Sequence, residues 1–268
     1  MLGALYVPLV RAEVADGVSG RVDRGRMAAL VAAYPDALDR LEGGDLVWRD
    51  GSRMAVDDGS GPKSFEDWLA RPDIKDMLAF VYPAGQPAQP PPQNFDPGRA
   101  RNAAFFDKLY GNCRNGEVEK NLVTVLWLPK KYGKAIAFNG RHGAAAHLAA
   151  VSERLDRLPA SFDVFLLPPA GTYNCRVIAG TDRVSAHGHG IAIDIAIKRA
   201  HYWRWPAGAQ GAGTQRTGAG SEAAYRNEIP AEIVSAFEAE GFIWGGRWSH
   251  FDTMHFEYRP ELARPTPR

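Results

Sequence analysis

The sequence predicts an α+β protein of short strands and amphipathic helices, and three observations carry that reading. Ile191–Ile197 alternates strictly, with Ile191, Ile193, Ile195 and Ile197 on one side and Ala192, Asp194 and Ala196 on the other, the period of a strand with two unlike faces. Residues 144–158 place Leu148, Val151, Leu155 and Leu158 at helical spacing. Leu46–Trp48 and Met54–Val56 flank Arg49-Asp50-Gly51-Ser52, a hairpin around an Asp-Gly turn.

The other elements follow in chain order. Residues 24–42 read as a helix through Met27, Leu30, Val31, Tyr34, Leu38 and Leu41, with Pro35 positioned to kink or split it. Residues 64–80 read as two short helices divided at Pro72. Pro83 to Pro97, with Pro90-Pro91-Pro92 inside it, reads as an extended segment, either a strap on the surface or an interdomain linker. It divides the chain into an N-terminal helical and hairpin extension, 1–98, and a second unit, 99–268. Val123–Leu128 is a strand closed by Pro129, and Val164–Leu167 a buried strand. Pro206 to Ser221, rich in Gly and Ala and without period, reads as a mobile loop rimming whatever site the preceding strand carries. Pro230 opens a helix that Gly241 stops, and Phe242–Trp244 and His255–Tyr258 are the last strands.

Composition narrows the function classes. Apolar residues make up 45% of the 268 and charged residues 24%, the balance of a soluble globular chain. A net charge of +1, with basic residues scattered, argues against nucleic acid or an anionic membrane as partner. The apolar stretch Leu2 to Val10 is broken by Pro8 and too short to span a bilayer; it is a trimmed export signal or an ordinary first strand. Two cysteines, Cys113 and Cys175, cannot build a thiolate zinc site; they are two buried thiols or one disulfide.

The chemistry gathers in two segments. In Ser185-Ala-His187-Gly-His189-Gly190-Ile-Ala192-Ile-Asp194, a carboxylate sits on a strand face among small alanines, which is costly unless it is paired or bound to a cation. His187 lies in the Gly-rich turn feeding that strand. Trp248-Ser-His250-Phe-Asp252-Thr-Met-His255-Phe-Glu257 adds a carboxylate three residues before a histidine. A hydrolytic zinc site needs three N or O ligands, an open position, and a carboxylate to take a proton from water. His187, Asp194 and His255 supply the ligands and Asp252 the base. His189 and His250 are rival ligands, and His250 and Glu257 the next candidates for the base.

Ser-x-His-x-x-Gly-x-Ala-x-Asp, a Trp-Gly-Gly turn and Asp-x-x-His-Phe-Glu together resemble the D-alanyl-D-alanine carboxypeptidases and L-alanyl-D-glutamate endopeptidases of the VanY type. Tyr173-Asn-Cys175-Arg176 is also similar to extensin-like C-terminal domains of bacteria. The resemblance covers roughly residues 120–262. It implies a small antiparallel sheet with flanking helices, the fold shared with the Hedgehog signalling domain. It further implies Zn2+ as cofactor, peptidoglycan stem peptides as substrate, and a periplasmic or secreted location in the bacterial cell envelope. It carries zinc ligation onto His187, Asp194 and His255, the base onto Asp252, and oxyanion stabilisation onto Arg176, with Arg183 a rival because only ten residues lie between Arg176 and His187. Ser185, Trp244, Trp248 and His250 are expected to line the substrate cleft. An envelope location would oxidise Cys113 and Cys175 to a disulfide closing a loop of about 60 residues. Two other functions fit the same residues: a zinc-binding module that recognises cell-wall peptide or a protein partner without cutting it, and an amidase acting at the sugar–peptide junction.

Overall fold

Pro35 has no N–H to donate and ends the first helix, α1, at Arg24–Ala33 in the computed structural model, which describes residues 24–205 and 224–263. The helix expected over 24–42 is therefore half helix. Leu38–Glu42 instead forms strand β1, because its backbone pairs with β2 (Asp45–Trp48) in the register Leu38↔Trp48 to Glu42↔Asp45. The expected hairpin is present: β2 runs antiparallel to β3 (Arg53–Ala55), with Leu46 opposite Met54. Helices α2 (Phe65–Ala70) and α3 (Ile74–Met77) flank Pro72. Ser64 caps the first, and the carboxylates of Asp73 and Asp76 form a capping box on the second.

Residues 83–97 hold no helix or strand and lie against residues 238–249. Gly85 N–H donates to Glu238, Arg247 donates to the Pro87 carbonyl, Ser249 N–H to Phe95, and Trp248 Nε1 to the Pro97 carbonyl at 2.8 Å. Apolar residues on both sides of this strap share one core, from Met27 and Leu30 through Phe105 and Phe106 to Ile193, Phe237 and Phe256.

Helix α4 (Ala103–Tyr110), capped by Asn102, was not legible in the sequence; it buries Phe105, Phe106, Leu109 and Tyr110. Strand β4 (Leu122–Trp127) matches the expected strand and pairs with an unexpected partner, β5 (Lys134–Asn139). Helix α5 (Ala144–Leu155) turns Leu148, Val151 and Leu155 inward as its period requires. The strand expected at Val164–Leu167 is a correction: α6 (Asp163–Leu166) is helical, Leu166 is buried and Val164 is 52% exposed. A four-residue apolar run does not by itself distinguish helix from strand.

The last sheet carries the site. Its order is β6 (Ala192–Asp194), β8 (His255–Tyr258), β7 (Phe242–Trp244), all antiparallel, with Asp194 opposite His255 and Trp244 opposite Phe256. The strand expected over 191–197 is shorter, because Ala196 adopts φ 54 and turns the chain out of the ladder. Helix α7 (Ala231–Glu238) opens at Pro230 and packs Phe237 on Phe256; α8 (Pro260–Ala263) closes the described chain. The fold is the small-sheet α+β arrangement expected. The segments Leu2 to Val10 and Pro206 to Ser221 lie outside the described residues. No helix among the described residues is long and apolar enough to cross a membrane.

Cys113 and Cys175 form a disulfide across 62 positions. It ties the end of α4 to the loop that precedes the site. Closing a loop of that length is worth about 4 kcal/mol in the entropy model. Cys113→Ser with Cys175→Ser is expected to lower unfolding stability by about 2–5 kcal/mol, read from denaturant midpoints. An unchanged midpoint would refute a stabilising role for the bridge.

Candidate metal centre

Ser185 Oγ accepts the His187 N–H and starts a 3₁₀ turn over Ala186–His189, which Gly190 closes at φ 68 before β6 begins. A side chain at Gly190 would be strained at that φ and would press on Leu122 Cδ2 at 3.0 Å. The turn places His187 over β6, and the Asp194↔His255 pair places the other two side chains beside it. Single ligand atoms of His187, Asp194 and His255 all lie within 4.8 Å of one another.

The second nitrogen of each histidine decides what the first can do. His187 Nδ1 donates to the Thr172 carbonyl, so Nε2 is left with a bare lone pair, buried and without a hydrogen-bond partner. That lone pair stands 3.2 Å from Asp194 Oδ1, an arrangement that calls for a cation between them. His255 Nε2 faces Glu257 Oε2 at 3.1 Å, which turns Nδ1 toward Asp194 Oδ1 at 3.0 Å. With a proton as the only cation at hand, burial opposes a charged His255, but hydrogen bonds to Asp194 and Glu257 outweigh it and push its pKa up to about 10. Asp194 is half-buried, and against the cost of desolvation His187 and His255 hold it well below the carboxylate range. The three side chains are thus arranged around positive charge. Two imidazole nitrogens and a carboxylate oxygen fit a divalent ion such as zinc with a position to spare.

Glu257 is the residue whose role the sequence did not disclose. It is fully buried, and Arg101 and Arg259 ion-pair with it while it receives His255 Nε2. Those charges draw its pKa down against the cost of burial and keep it an acceptor. It orients His255 and is absent from the lining of the cleft, so it is not placed to serve as base. Partners of this kind typically tune metal affinity 10–100-fold. Glu257→Gln is expected to weaken zinc binding by about that factor, measured by competition with a chelator. Unchanged affinity would remove Glu257 from the site.

Asp252 lines the same cleft. It is half-buried, its Oδ1 is out of reach of solvent and has no hydrogen-bond partner, and desolvation together with the charge of Asp194 raises its pKa to about 6. The cleft, about 460 Å³, brings together Arg176, Ser185, His187, Asp194, Trp248, His250, Asp252 and His255, with Arg99, Arg101, Tyr202 and Trp205 as unexpected neighbours. Trp248 walls it, with its ring 5.7 Å from that of His255. His250 stacks on Phe65 and faces Asp96 Oδ2 at 2.8 Å, outside the ligand cluster. His189 turns away to Asp107 at 3.0 Å.

Trp244 is a correction. It is fully buried, stacks on Phe256 and donates Nε1 to the Thr253 carbonyl, so it is core and not cleft wall. It stands on the edge strand β7, packed on Phe256 of the central strand, and its ring is absent from the lining of the cleft. Arg99 escaped the sequence reading because it lies just beyond the strap, far in sequence from either motif; it pairs with Asp96 and sits over the Trp203 and Trp248 rings. A larger cavity, about 720 Å³, lies between α1, the strap and α8; its acids Glu238 and Glu261 are already engaged by Arg247 and Arg259.

Residues 179–258 match the model of a family described as D-alanyl-D-alanine carboxypeptidase. That span contains His187, Asp194, Asp252 and His255. No curated protein and no solved structure matches the chain.

Proposed function

We propose that this chain, whose residues 179–258 match the model of the D-alanyl-D-alanine carboxypeptidase family, is a zinc-dependent peptidase that cuts the stem peptides of bacterial peptidoglycan. The observation that carries the reading is the convergence of three ligand atoms within 4.8 Å beside a buried carboxylate oxygen with no partner of its own. His187, Asp194 and His255 would hold the ion. When bound, zinc supplies Lewis acidity, acidifying water and polarising a carbonyl. Asp252 accepts the proton of the attacking water and returns it to the leaving amine. Its raised pKa suits both acts near neutrality. Arg176, on the cleft wall, offers positive charge to the carbonyl oxygen as negative charge develops there. Ser185, Trp248 and His250 bound the space for the peptide. The disulfide supports an oxidising compartment, in keeping with a substrate in the cell envelope.

Purified peptidoglycan digested with the zinc-loaded protein, and read by mass spectrometry, tests this. Loss of a terminal D-alanine marks a carboxypeptidase, and cleavage between L-alanine and D-glutamate an endopeptidase. Release of whole stem peptides would mean an amidase. Bound but uncut material would leave a recognition module. Activity should also fall with acid, because Asp252 must be unprotonated to act as base. The loss should run through a pKa of about 6 or lower, since a bound cation draws a neighbouring carboxylate down. A kcat/KM flat from pH 7 to well below pH 5 would count against this base.

A further inference from the structure

A second, smaller pocket lies behind the metal cleft, with Arg101 shared between the two. Its volume is about 230 Å³, and Pro72, Ala103 and Val184 contribute its apolar wall. Three arginines, Arg71, Arg101 and Arg183, and the imidazole of His189 provide its polar lining. Arg101 is engaged by Glu257, and Arg71, at the rim, by Asp67. Arg183 differs. It is half-buried, and its guanidinium makes no hydrogen bond or ion pair among the described residues. Burial and the neighbouring charges of Arg101 and Arg99 pull its pKa down to about 10, with only Asp182 opposing them. His189, 3% exposed, donates Nε2 to Asp107 and turns a buried acceptor lone pair at Nδ1 inward, so the positive charge of the pocket comes from its arginines. A half-buried guanidinium crowded by like charge is destabilising unless an anion answers it.

We propose that this pocket is an oxyanion site, in which a phosphate or carboxylate group is held by Arg183, with Arg101 behind it and Arg71 at the rim. The planar fork of a guanidinium suits two oxygens of such a group. The volume of about 230 Å³ admits a phosphate ion or an acidic side group. The ligand is either a free small anion or an acidic group of the same wall polymer whose peptide enters the metal cleft. The second source rests on the function proposed above, and the first does not.

The test uses inorganic phosphate as probe and the intact disulfide-bonded protein, with ionic strength held constant by chloride. Saturable binding by calorimetry is expected, with a rise in melting temperature that follows occupancy. It should persist in metal-free Asp194→Asn protein, which separates it from phosphate bound to zinc. Arg183→Gln should weaken binding about tenfold or more, the loss of a charge-assisted pair. Arg183→Lys, which keeps the charge and loses the fork, should fall between, and Arg40→Gln on the remote hairpin should change nothing. Melting in chloride alone confirms that each variant is folded. Equal stabilisation of all variants by phosphate would be a general salt effect and would overturn the site, as would no binding. A second arm compares stem peptides with the D-glutamate α-carboxylate free or amidated. A KM difference that vanishes in Arg183→Gln assigns the pocket to that acidic group, and equal KM values assign it to a free anion. Phosphate binding without turnover would leave the site standing and the peptidase reading refuted.

Discussion

Asp252→Asn is expected to leave zinc content unchanged and to lower peptide hydrolysis by about 10²–10⁴-fold, the usual weight of general base catalysis. Asn preserves size and much of the hydrogen bonding while removing the proton acceptor. The separation of roles rests on geometry. Asp252 lines the cleft, but the ligand cluster closes without it, and its Oδ1 has no partner. The backbone turn that brings His255 N–H to the Asp252 carbonyl at 3.2 Å sets the two side chains near each other without pairing them. Zinc content by atomic spectroscopy, measured beside turnover on stem peptides, decides the matter. Retained turnover would identify another base, with His250 the first to examine because it lines the same cleft. Loss of zinc together with turnover would make Asp252 a ligand.

His187→Ala, His255→Ala and Asp194→Asn are expected to do the opposite, losing metal first and activity with it. Each removes one of the three atoms that, among the described residues, would hold the ion. Because the ion binds the folded chain and not the unfolded one, melting temperature should fall in zinc and much less in chelator. The Asp194 variant carries a further consequence. His255 keeps its proton through Asp194 and Glu257, so removing the Asp194 charge should lower the His255 pKa from about 10 in metal-free protein. An NMR titration of the His255 ring would show it. The raised pKa lends stability that is full below the ordinary histidine value and fades as pH climbs toward about 10, so the difference between metal-free wild type and Asp194→Asn should shrink at high pH. A variant that still binds zinc with wild-type affinity would show that its side chain is not a ligand.

Much of the site was legible because its chemistry is local in sequence. A carboxylate alternating with isoleucines on Ile191–Ile197, and a histidine three residues after Asp252, are patterns that period and residue type expose. Trp244 was misread for the complementary reason. A tryptophan beside two glycines is equally consistent with a cleft wall and with a core, and only the burial of the Trp244 ring against Phe256 of the central strand separates them. Val164–Leu167 failed likewise, because four apolar residues carry too little period to choose a structure, whereas Leu38–Glu42 was lost to a helical pattern that Pro35 had already ended.

The sequence by itself singled out His187, Asp194, Asp252 and His255 as candidates, and it determined the hairpin at Asp50-Gly51 and the helix that opens at Ala144, since each depends on residue type and spacing within about a dozen positions. Tertiary structure alone decided that Nε2 of His187 is bare, through the Thr172 carbonyl, and that Nδ1 of His255 faces Asp194, through Glu257. It also brought Arg99 and Arg101 from beyond the strap into the cleft, and joined Cys113 to Cys175. Those relations span from two to more than 150 positions, and they depend on distance and burial in the folded chain, which no local pattern encodes.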